Sequence, residues 1–271
     1  MKKILVPIDF SNASKNASHY AAEIAAQVHA EVDLIHILNI NSTSTTLMNW
    51  KKLEEQMISS ADQGAEELIA SIDKPVKVRF SRSAGHPFYD VVRSYARDHH
   101  EDLIVMGTHG ASGIKKALIG SNAASVINNS PVPVLAIPSG STFTGIKNIL
   151  YATSMTNLDT EIKIVAKFAK KFDARITIVH VSEKGSGKRD YSNLLSILSR
   201  IAHYDKLDFV VVEGTNVAES LQNVVEERKP DVIAMFTHEL SLYEKIFGKG
   251  VTRNVAFNAT IPLLAYNKTS K

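Results

Sequence analysis

The chain has 271 residues, 44% of them hydrophobic and 22% charged, with a net charge of +3, which leaves room for two domains of ordinary size with proper cores. The basic excess is small and the lysines and arginines are scattered, which excludes nucleic acid as the main partner. The absence of cysteine excludes disulfides, thiolate metal centres and cysteine nucleophiles.

No apolar run reaches the length needed to cross a bilayer. The apolar start, Ile4 to Ile8, is interrupted by Pro7 and Asp9 before a signal-peptide core could form. A cytoplasmic protein with no membrane partner is the expectation. In chain order, Ile4–Ile8 is a compact apolar run suited to a strand buried on both faces. Asn12–Ala30 places Ala17, Tyr20, Ala21, Ile24 and Val28 at helical spacing, with Ser11 or Asn12 as N-cap. Val32–Leu38 reads as a second buried strand, 39–46 as a polar loop, and 47–72 as a long helix carrying Trp50. Residues 75–80 alternate as an edge strand would. Gly85-His86-Pro87 opens a further helix with Val91, Val92 and Tyr95 on one face. Then come a strand at 103–106, a loop with glycines, a helix from Gly120, and a strand at 133–137. Strand and helix alternate throughout, which predicts an α/β doubly wound parallel sheet. Ligands of such sheets bind beyond the carboxyl ends of the strands.

After a turn-rich stretch at 139–145 the pattern restarts. Residues 148–154 (NILYATS) echo 3–9 (KILVPID), and 178–181 (IVHV) echo 34–37 (LIHI). Residues 231–238 (DVIAMFTH) echo 102–109 (DLIVMGTH), and 261–266 (IPLLAY) echo 132–137 (VPVLAI). Two copies of one domain are expected, at 1–140 and 146–271.

The loop between the fourth and fifth strands of the first copy carries Gly107, Gly110 and Gly120, the last directly before Ser121 at a helix start. Glycine lets a backbone approach a bulky anion, and a helix N-terminus offers unpaired N–H groups. The pattern predicts a phosphate cradle, with Ser121 capping the helix and donating to a phosphate oxygen. Turn formation alone would also account for any one of these glycines. In the second copy Gly107 becomes Phe236, Gly110 becomes Glu239, Gly120 becomes Lys249, Ser121 becomes Gly250 and Asp9 becomes Ser154. A phenylalanine would fill such a cradle and a glutamate would repel an anion there. The second copy is therefore expected to keep the fold and lack the site.

The spacing Gly107-x2-Gly110-x9-Gly120-Ser121, framed by residues 4–9 and 131–137, resembles the universal stress protein family. The whole chain resembles its tandem form, more strongly in the first half, which carries the glycine spacing of the ATP-binding branch. The resemblance implies two tandem five-stranded parallel sheets in order 3-2-1-4-5, with helices on both faces. It implies ATP, accompanied by Mg²⁺, in the first domain. Asp9 would meet the ribose or the adenine edge, with Pro7 and Ile8 beside it, and the Ile37 backbone would meet adenine. Met106, Gly107, His109 and Gly110 would line the loop, and Gly120, Ser121 and Asn122 would hold the phosphates. It also implies an internal pseudo-dimer of the two domains, a homodimer of chains, and a protein partner that the sequence does not identify.

Other signals are weaker. Residues 185–188 (GSGK) resemble a fragment of a Walker A sequence but lack its first glycine and the following Ser/Thr, so they are expected to form a flexible loop. His36 and His180 recur in equivalent strands and are expected to be structural, and His99-His100 reads as a solvated helix end. No dedicated Mg²⁺ carboxylate or arginine finger stands out, so fast phosphoryl transfer is not expected. The reading is an ATP-binding stress-response regulatory protein with no catalytic and no metal-ligating residues assigned. The alternatives are a slow ATPase or adenylate-handling enzyme, and a nucleotide-free scaffold or dimerisation module.

Overall fold

The computed structural model describes residues 1–38, 47–108, 119–182, 191–237 and 261–267. They divide into two compact units, the first closing at Ser139 and the second opening at Gly140. The first unit runs β1 (Lys3–Ile8), α1 (Asn12–Val28), β2 (Glu31–Leu38), α2 (Leu47–Ala70), β3 (Val78–Ala84), α3 (Phe88–Asp98), β4 (Leu103–Gly107), α4 (Ser121–Asn129) and β5 (Val134–Ile137). Its strands pair in parallel in the order β3-β2-β1-β4-β5.

The apolar runs explain the centre of this sheet. Ile4, Leu5 and Val6 of β1 are fully buried, as are Leu34 and Ile35 of β2 and Ile104 and Val105 of β4. Successive strand residues point to opposite faces, so burial of consecutive residues requires cover on both sides. Helix α2 covers the face carrying His36 and Leu38, where Met57 and Ala61 approach them. Helix α3 covers the other, where Tyr95 OH donates to Ser81 of β3 at 3.1 Å.

Helix α1 starts where its sequence says it should. The Ser11 side chain caps it, accepting from the Ser14 N–H at 3.3 Å. The inward stripe of Ala17, Ala21, Ile24 and Ala25 is fully buried, and the alanines in it allow a close approach to the sheet. The third strand differs from expectation. It spans Val78–Ala84 rather than 75–80, because the Val76 N–H bonds the Lys74 carbonyl and closes a turn around Pro75. The β2 ladder then begins at Val32 opposite Val78. Its alternating, half-exposed character fits its outer place in this unit's sheet order.

The second unit runs β6 (Asn148–Ala152), α5 (Leu158–Ala169), β7 (Arg175–Ser182), α6 (Leu194–Ala202), β8 (Leu207–Glu213), α7 (Val217–Arg228), β9 (Val232–Phe236) and β10 (Leu263–Tyr266). Its strands are parallel in the order β8-β7-β6-β9-β10, the first unit's order repeated. The repetition reaches single atoms. Asp102 Oδ2 accepts from the backbone N–H groups of Lys2 and Lys3, and Asp231 Oδ2 accepts from those of Lys147 and Asn148. His36 Nδ1 donates to the Ile8 carbonyl at 2.9 Å, and His180 Nδ1 to the Thr153 carbonyl at 3.1 Å. Left-handed backbone at a residue other than glycine is uncommon, yet it recurs in register. Phe10 (φ 60°) matches Met155 (74°), His29 (54°) matches Asp173 (54°), and His100 (55°) matches Lys229 (45°).

Candidate functional site

Strands β1 and β4 are neighbours, so the residues that follow them share one edge of the first sheet. Pro7 and Ile8 are buried in β1 and carry Asp9 out to an exposed position beyond it. Asp9 Oδ1 accepts from the Ser11 backbone N–H at 3.1 Å and from the Ser11 hydroxyl at 2.5 Å. The Asp9 N–H donates to Ser14 Oγ at 3.3 Å. Asp9 thereby closes an Asx-type turn that runs directly into the α1 cap. Ile37 is half-buried near the end of β2, opposite Ser83.

At the end of β4, Met106 is buried and Gly107 half-buried. The Thr108 carbonyl accepts from the Gly120 N–H at 2.6 Å, which ties the start of α4 to the end of β4. Gly120 is the N-cap of α4 and, having no side chain, makes no side-chain cap bond of its own. Ser121 is therefore the first helical residue and not the cap, a departure from the sequence expectation. Ser121 and Asn122 are exposed, and the first intrahelical bond runs from the Ala124 N–H to the Gly120 carbonyl at 3.0 Å. The N–H groups of Ser121, Asn122 and Ala123 precede it and form the positive end of the helix. This is the arrangement that receives an anion. His109 and Gly110 lie outside the described residues.

The glycines prove unequal. Gly120 has φ −69°, so its backbone does not demand glycine. Gly107 does have a steric reason: a Cβ there would meet Ala13 Cβ and the Ala13 carbonyl oxygen, both at 3.0 Å. Its smallness lets α1 lie against β4, whatever else it does.

The equivalent region of the second unit is built differently. The Ser154 hydroxyl engages Thr156, with its Oγ 3.0 Å from Thr156 Oγ1, which keeps the turn of Asp9 and Ser11 without the charge. Phe236, in place of Gly107, is buried and stacks on Tyr266 with centroids 4.9 Å apart. Its edge meets Tyr151 at 6.1 Å. Tyr151 OH donates to the buried Glu161, and burial pushes the Tyr266 phenol well above its ordinary range. Aromatic rings fill the end of this strand pair. Glu239, Gly248, Lys249 and Gly250 lie outside the described residues.

Two features had no place in the sequence reading. One is a cavity of about 290 Å³ between Phe10, His36 and Leu38 and the Met57–Ala61 stretch of α2. The other is a buried pair of carboxyl groups, Asp33 and Glu101, with the part-exposed Arg79 on Asp33, for which the sequence held one signal: an aspartate in the middle of the apolar run 32–38. The two exposed histidines at the end of α3 show no metal arrangement. His99 Nδ1 lies 3.1 Å from the Tyr95 carbonyl, and its ring stacks on Tyr95 at 3.8 Å. Among the described residues no group of three or more His, Asp or Glu side chains could hold a metal ion, and no helix is long and apolar enough to cross a membrane. The GSGK stretch at 185–188 and the Trp50 side chain lie outside the described part of the molecule.

Residues 1–138 match the sequence profile of the universal stress protein family. Two universal stress proteins of Methanocaldococcus jannaschii are similar to half of this chain. One is 30% identical over 139 residues, with 81% of its own length covered, and the other 26% identical over 153 residues, with 94% covered. In structure, a universal stress protein from Archaeoglobus fulgidus aligns over 98% of both chains with a TM-score of 0.71 at 20% identity. That likeness speaks for the fold of both units.

Proposed function

The chain belongs to the universal stress protein family, and on that premise we propose that it is a nucleotide-binding regulatory protein that holds one ATP in its first unit. The observation that carries this reading is the tie between Gly120 and Thr108. It brings the glycine-capped N-terminus of α4 to the end of β4, one strand away from Asp9. In the proposed complex the phosphates lie on the N–H groups of Ser121 and Asn122, with the Ser121 hydroxyl as a further donor. Gly107, His109 and Gly110 line the phosphate loop. Asp9 faces the ribose hydroxyls, a carboxylate placed away from the phosphates. The Ile37 backbone meets the base, and Met106 lies at the start of the loop. Mg²⁺, where it accompanies ATP, is held by the phosphates and water. In the second unit the turn lacks the carboxylate and Phe236 stands where the loop would begin. We assign that unit a structural role. Bound ATP then changes the contacts of a cytoplasmic protein with its partner.

Calorimetry with the full chain tests the reading: one ATP per chain is expected, and two or none would overturn it. The variant Asp9→Ser copies the second unit's residue, whose hydroxyl makes the same turn to position i+2, so the fold is kept. It should weaken ATP binding at least tenfold, and unchanged affinity would remove Asp9 from the site. Gly107→Phe, the more obvious copy, is a poorer probe because the ring would be driven into α1 at Ala13. Phosphate release by the wild type above that of Asp9→Ser would favour a slow ATPase instead.

A further inference from the structure

At the opposite edge of the first sheet, near the amino ends of its strands, lies a pair of carboxyl groups that the proposed nucleotide site does not use. Asp33 of β2 is 2% exposed and Glu101, in the turn between α3 and β4, is 4% exposed. Asp33 is held on both oxygens by Arg79 of β3, at 2.7 Å from Nε and 3.1 Å from Nη2. Burial works against its charge, and Arg79 together with the neighbouring Glu101 carboxyl outweighs it, so Asp33 stays below the usual carboxylate range. Glu101 has no such support. Among the described residues neither of its oxygens meets a donor; the group facing it is the Asp33 carboxylate. A shared proton removes the repulsion between two buried carboxyl groups in that relation.

The remaining charges are arranged around the pair without reaching it as donors. Lys3 of β1 spends its ammonium on the His99 carbonyl at 2.9 Å. Glu31 of β2 shares Arg79 and Lys77. From α3, Tyr95 faces the pair and bonds Ser81, with the exposed His99 stacked on its outer side. Asp102 is exposed and binds the backbone of Lys2 and Lys3. The second unit has Thr177 and Pro230 at the matching positions and so lacks the pair.

We propose that Glu101 and Asp33 share one proton, and that this proton latches the α3–β4 turn to β2 and β3, releasing it when the proton leaves. Burial, and then Asp33, push the Glu101 carboxyl up to about 8 from an ordinary value of 4.5. A carboxyl raised on folding stabilises fully below its unfolded value, and that stabilisation is lost as pH rises through the folded one. The latch therefore weakens from about pH 5 upward and is spent above about pH 8.5. Helix α3 also packs on α4, so release loosens the support of the helix whose N-terminus lies at the candidate site.

Hydrogen exchange of the full chain, read by mass spectrometry and corrected for intrinsic rates, tests this. Protection of peptides covering residues 92–106 should fall about tenfold per pH unit between pH 5.5 and 7.5 and level off above pH 8.5. Peptides from β7 and β9 should stay flat. Glu101→Gln, which supplies a neutral donor to Asp33, should flatten the profile at 92–106. The carboxyl carbon of Glu101 should titrate near 8 by NMR. A flat wild-type profile, an equal slope in Glu101→Gln, or a Glu101 midpoint near 4.5 would each overturn the proposal.

Discussion

Gly107 shows how one residue can carry two readings. In the sequence it is the first glycine of a phosphate-loop spacing. In the structure it is also the point where α1 touches β4, with Ala13 within 3.0 Å of any added Cβ. The obstructing atoms include backbone, which cannot swing away. Gly107→Ala should therefore lower stability by roughly 1–3 kcal/mol, measured by chemical denaturation, before any effect on ligand is considered. A loss of ATP affinity in this variant that exceeds what its altered packing explains would need a second probe, and Asp9→Ser supplies it. Phe236 gives the converse case. It is buried and stacked on Tyr266, so Phe236→Ala should cost the second unit about 3–5 kcal/mol. It should gain no nucleotide, since the Asp9 carboxylate has no equivalent at Ser154. Tight ATP binding by that variant would show that the ring alone had closed the second site.

At the scale of elements, the turn after β1 and the cap of α1 form one hydrogen-bonded unit: Ser11 caps Ser14 and also holds Asp9. Ser11→Ala removes both roles. It should cost about 0.5–2 kcal/mol of stability and also weaken ATP binding, because Asp9 loses the bonds that fix it. Calorimetry beside thermal denaturation separates the two effects, and an affinity equal to wild type would show that the Asp9 carboxylate needs no fixing. Most elements were legible in the sequence because they follow from apolar spacing. The runs at 4–8, 32–38 and 103–106 are short and mostly apolar, as strands covered on both faces require. Helix α1 was legible, with Ser11 the one of the two cap candidates, Ser11 and Asn12, that closes it. The third strand was misplaced because its residues answer to an edge: Arg79 and Arg82 reach out to Asp33 and Asp62, and polar residues there carry no apolar period to read. The Ser121 assignment failed by one position, since a Gly-Ser pair permits either residue as the cap. The Asp33–Glu101 pair joins positions 68 apart, and no local pattern brings them together.

For the whole molecule, the internal repeat was the strongest sequence signal, and the structure carries it further than the residues do. Asp102 and Asp231, His36 and His180, and three pairs of left-handed residues occupy matching places while most side chains around them differ. What the units share is backbone geometry and the bonds that fix it; what separates them is the chemistry at the carboxyl ends of their strands. One nucleotide per chain is what the proposed function predicts at this scale.

The tie from Asp102 to Lys2 and Lys3 also bears on how the chain is made. Strand β1 leaves the ribosome before both of its neighbours, β2 and β4, and the Lys2–Asp102 bond joins residues 100 apart. At about 5–20 residues per second, an apolar strand would wait on the order of 5–20 s with one edge unpaired before β4 emerges. The second unit repeats the delay, with Asp231 arriving 84 residues after Lys147. Each half of this protein is thus born with its central strand incomplete, and an unpaired apolar edge stays open to aggregation until its fourth strand is translated.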